Sequence, residues 1–179
     1  MYLLTDGRSN SGKLTASPLG ASSILAALAL WMIAMPVCAG VDLVKVDKSE
    51  NRMFLMDGER VVKQYHVALG GTPQGHKQQE GDQKTPEGDY TLDYKKDNSD
   101  FYRAMHISYP NARDKALADK LGVSPGGFIM VHGQPNGLGW FALLTQRFNW
   151  TKGCIALTNA EMDEFMAWVP VGTKIHIEW

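Results

Sequence analysis

Beyond residue 40, apolar and polar residues alternate over short runs, the period of strands rather than of helices. Val41–Val46 alternates in this way, and Arg52–Met56 resumes the pattern after a short polar turn. Asp57-Gly58 is a hairpin signal followed by Val61–Leu69, which predicts an opening β-meander. Further strands are predicted at Asp89–Tyr94, Ala104–Ser108, Phe128–Val131, Cys154–Leu157 and Lys174–Glu178. Helical signals are fewer. Asn111 can cap Ala112–Leu121, with Gly122 just past its end. Thr158-Asn159-Ala160-Glu161 is a capping box ahead of Met162–Val169, closed by Pro170. Trp140–Phe148 is a third, shorter candidate. Strands with a few inserted helices point to a β-rich domain rather than an alternating parallel α/β fold.

Two segments break the alternation. Ile24–Met35 is uninterrupted apolar sequence, too short for the ~18–20 residues that span a bilayer. Arg8 and Lys13 precede it, Pro36 ends it, and Val37-Cys38-Ala39 offers a cleavage site before Gly40. Residues 1–39 therefore read as a cleaved export signal, and 40–179 as one exported, periplasmic domain. An uncleaved membrane anchor is one alternative. Lipidation of Cys38 is another, disfavoured because Met35-Pro36-Val37 lacks the small residues such a site needs. The second segment, Gly70–Gly88, is rich in Gly, Pro, Lys and Glu. It is expected to be a long surface loop, the kind of loop that often carries function.

Charge narrows the partners. With 18 Lys+Arg against 19 Asp+Glu, the formal net charge is −1, which supplies no basic face for nucleic acid. The absence of a coiled-coil pattern suggests a monomer.

Once the export segment is set aside, Cys154 is the lone cysteine and has no internal disulfide partner. Gly153 before it allows close approach to the backbone, and Ile155-Ala156-Leu157 anchors it at the start of a buried strand. The second chemical feature is His132-Gly133, at the end of the apolar run Phe128–Val131. A free thiol titrates near ~8.5, so only a few per cent is thiolate at neutral pH. A nearby imidazole raises that fraction by accepting the proton or by forming an ion pair, and general acid–base help of this kind is worth roughly 10²–10⁴ in rate. The backbone N–H groups of Gly153 and Cys154 are candidate oxyanion donors, and Gly133 and Gly153 are expected to shape the backbone beside the thiol. No acidic residue stands out as the group that orients His132. No close Cys or His spacing supports a metal site, and no cofactor is implied.

His132-Gly133, a spacer, and Thr151-Lys152-Gly153-Cys154-Ile155-Ala156-Leu157 together resemble the signature of the L,D-transpeptidases, the YkuD-like domains of bacterial cell-wall metabolism. Leu69–Tyr90 resembles that family's glycine-rich Thr-Pro-Glu-Gly segment, and Ser124-Pro125-Gly126-Gly127 also fits. The likeness covers about residues 42 to 179 and is nearest to small periplasmic members of the YafK type. Lys152 stands where the commoner motif has a histidine, so only His132 remains as a motif-borne base.

The resemblance implies a β-sandwich-like mixed sheet with two or three short flanking helices. It also implies acyl transfer at peptidoglycan stem peptides, with Cys154 attacking the L-centre carbonyl of diaminopimelate to form a thioester. An amine then completes a transpeptidation; water instead makes the enzyme a carboxypeptidase or endopeptidase, including one that releases a wall-anchored lipoprotein. A non-catalytic wall-binding module is the alternative of a different class. Candidate substrate contacts are Lys84 and Arg103 for carboxylates, Tyr109 and Trp140 as cleft walls, and Thr151 and Lys152 beside the thiol. Each also has a plain reading as a solvated or packing residue. His66, His76, His106 and His176 carry no assigned role, though His76 lies in the motif loop.

Overall fold

A computed structural model describes residues 40–179. The export signal expected at 1–39 lies outside the described residues. Eight strands form one mixed sheet in the order β3-β2-β1-β8-β4-β5-β6-β7. In chain order they are β1 (Leu43–Asp47), β2 (Arg52–Asp57), β3 (Arg60–His66), β4 (Gly88–Ser99), β5 (Tyr102–Ile107), β6 (Met130–His132), β7 (Ile155–Ala156) and β8 (Lys174–Glu178). The predicted meander is β1–β3, joined by antiparallel pairings. β1 also pairs parallel with β8. The twelve-residue β4 joins the two halves of the sheet. Its start pairs with β8, and its later part, bulged after Leu92 and again after Lys96, pairs with β5.

Inward residues of both halves meet in one core. Val44 and Val46 of β1 and Ile175 and Ile177 of β8 join Leu92, Met105, Ile107, Val131 and Ile155 from the other half. The sheet is thus bent around a single apolar interior, and each fully buried large side chain contributes about 1.5–3 kcal/mol. After β3 the chain does not continue as one strand to Leu69. It crosses over so that Ala68 bridges Ala156 and Gly70 bridges Thr151, which gives β7 a neighbour on its free side.

Three short helices flank the sheet. α1 (Ala112–Leu121) starts at a capping box of Asn111 and Asp114 and ends at Gly122 in the left-handed region. α3 (Asn159–Trp168) starts at the predicted Thr158–Glu161 box and puts Met162, Phe165 and Met166 into the core. The helix expected over Trp140–Phe148 is shorter than its pattern suggested. It is a 3-10 turn, Gly139–Phe141, running into α2 (Ala142–Thr145). Neither piece has a side-chain cap. Without caps or a packed face, the cost of helix nucleation limits it to about one turn.

The Gly70–Gly88 loop is held by two buried lysines. Lys48 is 1% exposed, and its Nζ donates to the carbonyls of Gly75 and Thr85 and to Glu87 at 2.8–2.9 Å. Lys77 donates to Gln79 O and to Asp82, whose carboxylate also accepts the N–H groups of Gln78, Gln79 and Lys84.

Candidate active site

Strand register brings His132 and Cys154 together. β6 and β7 run parallel, with Val131 opposite Ile155 and His132 opposite Ala156. Cys154 stands two positions before Ala156, so it shares the sheet face of His132. Adjacent strands lie about 4.8 Å apart and two residues advance about 6.6 Å, so the two Cα atoms are roughly 8 Å apart, within reach of their side chains. Both residues line one cavity of about 560 Å³, walled by Phe101, Ala104, Phe128, Met130, Trp150 and Thr151. Lys96, Asp100 and Lys152 stand at its exposed rim.

The imidazole is dry and fixed. His132 is 4% exposed, tilted against Phe101 with centroids 4.6 Å apart and edge-on to Trp150 at 5.8 Å. Its Nδ1 lies 2.7 Å from Gly133 O. A carbonyl only accepts, so Nδ1 carries the proton and Nε2 is left as a lone-pair base. The orienting group is therefore a backbone carbonyl. Gly133 is itself locked in place, since its N–H donates to Arg103 O. An added Cβ there would lie 2.8 Å from Asn159 Oδ1 and 2.9 Å from Tyr102 Cβ. Burial pushes the His132 pKa down to about 4, opposed by the Gly133 hydrogen bond.

The thiol is half-buried and opens to the same cavity. Burial pushes its pKa up, opposed by the Met130 N–H and by the charge of Lys77. Its Sγ lies 3.7 Å from Phe128 O. Phe128 adopts φ +54°, a conformation that costs a bulky residue on the order of 1–3 kcal/mol. That strain turns its carbonyl towards the sulfur while the ring stands 79% exposed. Both shifts favour the uncharged forms, a thiol and a neutral imidazole, over an ion pair.

Thr151 builds the turn into Cys154. Its hydroxyl donates to Cys154 O at 2.7 Å and accepts the Gly153 N–H at 3.1 Å. This corrects one expectation: the Gly153 N–H is occupied and is not an oxyanion donor. Among the described residues the Cys154 N–H has no acceptor, which leaves it free as the candidate donor at this turn. Gly153 is required for shape. Its φ is +125°, and an added Cβ would meet Lys84 O at 2.6 Å. Gly153→Ala is expected to push the turn off the motif loop, destabilising the fold by about 2–4 kcal/mol and lowering turnover at least about a hundredfold. A melting curve close to that of the native protein would contradict this.

The other candidates divide. Thr151 and Lys152 border the cavity. Arg103 does not. Its neighbour on β5, Ala104, faces the cavity, and the guanidinium turns to the opposite face and pairs with Asp97 and Asp163. Tyr109 is also no cleft wall: it is 3% exposed in the core, donates to Pro125 O and packs edge-on to Tyr90. Trp140 is 79% exposed and packs on Phe141, away from the cavity lining. Lys84 touches the site through its backbone against Gly153, while its side chain lies near Gly75. His76 bridges Asp114 and the Glu87 N–H on α1 and the motif loop. Phe101, Trp150, Phe128, Lys96 and Asp100 had no assigned role from sequence, because only the bent β4–β5 hairpin brings Lys96, Asp100 and Phe101 to the thiol. Among the described residues no three His, Cys, Asp or Glu side chains are grouped as a metal ion requires.

Residues 42–177 match the family model described as the L,D-transpeptidase catalytic domain (YkuD). Escherichia coli YafK, provisionally named an L,D-transpeptidase, is 33% identical over 121 residues, which are 65% of this chain and 42% of YafK. The helical cell shape determining protein Pgp2 of Campylobacter jejuni superposes with a TM-score of 0.59 at 27% identity, over 76% of this chain and 46% of Pgp2. Bd1075 of Bdellovibrio bacteriovorus superposes with a TM-score of 0.53 at 22% identity, over 78% of this chain and 48% of that one, a likeness of fold. The chain spans less than half the length of each of these relatives.

Proposed function

The chain belongs to the L,D-transpeptidase catalytic domain (YkuD) family, and on that premise we propose that it performs cysteine-dependent acyl transfer on peptidoglycan stem peptides in the periplasm. The observation that carries this reading is the shared cavity of Cys154 and His132 on adjacent strands. Nε2 of His132 takes the thiol proton as Sγ attacks the L-centre carbonyl of diaminopimelate. The Cys154 N–H meets the developing oxyanion. Collapse breaks the amide bond, and His132 returns the proton to the leaving amine of the D-residue, leaving a thioester. An acceptor amine, deprotonated by the same imidazole, then displaces the sulfur and forms the crosslink. Lys152, solvent-exposed at the rim, is suited to a substrate carboxylate.

Hydrolysis is the second reading, favoured by the same open rim. Water admitted there would make the protein a carboxypeptidase or endopeptidase, one able to free a wall-linked lipoprotein. Incubation with purified muropeptides, read by mass spectrometry, separates the two. Dimers signal transfer, and shortened peptides that have gained water signal cleavage. The absence of both products would overturn the enzymatic reading and leave a wall-binding module.

The pH dependence has a definite sign. His132 is depressed to about 4, so the base is competent above that value and is lost as pH falls through it. Its neutral form also favours the fold, a contribution complete above its unfolded value of about 6.5 and lost between there and pH 4. Turnover is expected to hold through neutral pH with an acid limb near pH 4. Alkylation of Cys154 by iodoacetamide should climb into the alkaline range, because the thiol is raised. A fast, flat alkylation rate from pH 5 to 8 would instead mean a resting ion pair.

A further inference from the structure

The sheet face that bears the cavity carries a second feature beside it. Cross-strand pairing sets one row, Lys96–Ala104–His132–Ala156, on that face. The next row passes through Met130 and His106, which are paired. It ends on Tyr94, because the bulge between Leu92 and Lys95 leaves both Asp93 and Tyr94 facing outward. Tyr94 stacks on His106 with centroids 4.6 Å apart and planes 13° apart, and the residue is 40% exposed. Phe128 stands edge-on to His106 at 6.5 Å. His106 Nδ1 pairs with Asp93 at 2.7 Å, and among the described residues its Nε2 has no partner. Phe128 also belongs to the cavity, so the strip of rings leads directly to the thiol.

The chemistry of this strip is that of a carbohydrate platform. A pyranose ring with equatorial substituents presents a flat face of C–H groups, which carry partial positive charge and settle on the negative face of an aromatic ring. Its hydroxyls project at the edge, where the Asp93 carboxylate and the free His106 nitrogen can bond them. An apolar peptide would instead need an enclosed groove, whereas Tyr94 is exposed and has the Asp93 carboxylate and His106 at its edge.

We propose that the outer face of Tyr94, with Asp93 and the His106 that stacks behind it supplying edge hydrogen bonds, holds the amino-sugar ring of the glycan from which the substrate stem peptide hangs. The proposal rests on the reading of the cavity as a stem-peptide site. Scale agrees with it. Tyr94 on β4 lies three strand spacings from the Cys154 strand, roughly 14 Å. Three extended residues, from the reacting diaminopimelate back to the peptide's attachment, span roughly 10 Å, and the linking acyl group adds the remainder.

The test uses the full chain carrying Cys154→Ala, so that ligands bind without reacting. Calorimetry compares a disaccharide-tetrapeptide with the free tetrapeptide. The sugar-linked ligand should bind about tenfold tighter. Adding Tyr94→Ala should erase that advantage while leaving free-peptide affinity unchanged, and Tyr94→Phe should retain it. Equal affinities for the two ligands, or a Tyr94→Ala loss shared by both, would overturn the platform alone. No binding of either ligand would overturn the reading of the cavity and the platform with it.

Discussion

Cys154→Ala should reduce turnover on muropeptides by about 10⁴-fold or more while the protein melts within a few degrees of the native form. The size of the loss follows from what remains. Without Sγ there is no thioester, and only binding, the imidazole and one backbone donor still act on the substrate, a residue of catalysis typically several orders of magnitude below the intact pair. The small effect on stability follows from where the sulfur sits. Cys154 is half-buried at a cavity wall, so removing it opens no sealed void, and the expected cost is about 1 kcal/mol. Thermal melting and product analysis on one preparation check both halves. Turnover that survives the substitution would remove Cys154 from the chemistry.

The largest expected effect on folding lies away from the thiol. Lys48→Met should cost about 3–5 kcal/mol. Methionine fills a similar volume, so the loss comes from charge and hydrogen bonding rather than from a cavity. Lys48 holds Gly75 O, Thr85 O and Glu87 from beneath the motif loop, and its removal leaves a part-buried carboxylate and two carbonyls without their donor. The consequence reaches the site, because the Lys84 carbonyl of that loop forms the surface against which Gly153 turns. Denaturant unfolding gives the stability change directly, and turnover of the same variant should fall with it. A loss below about 1 kcal/mol would mean that the loop is held by something else.

Much of the strand framework was legible because alternation reports burial: Val44, Val46, Ile175 and Ile177 point inward as their period demands. The caps at Asn111 and Thr158 were legible because their hydrogen bonds are local. Side-chain direction across strands was not. Arg103 looked like a carboxylate binder until the pairing of Ala104 with His132 fixed the parity of β5 and sent the guanidinium to Asp163. Tyr109 and Trp140 were candidate cleft walls with a packing role as the plain alternative, and packing is what they do: one lies in the core and the other against Phe141. The bulge that turns Tyr94 outward leaves no composition signal, since it follows from how β4 is shared between two halves of the sheet. Lys48 was missed for the opposite reason. A lone lysine in a strand turn reads as solvated, and only the returning loop buries it.

The burial that raises the Cys154 pKa bears on durability. Peroxides and disulfides react with the thiolate, and a sulfur kept protonated by its surroundings is a slow target for them. Among the described residues Cys154 has no second cysteine to rescue a sulfenic acid by forming a disulfide. Burial that holds down the anion therefore slows oxidative loss of a thiol that has no partner to rescue it.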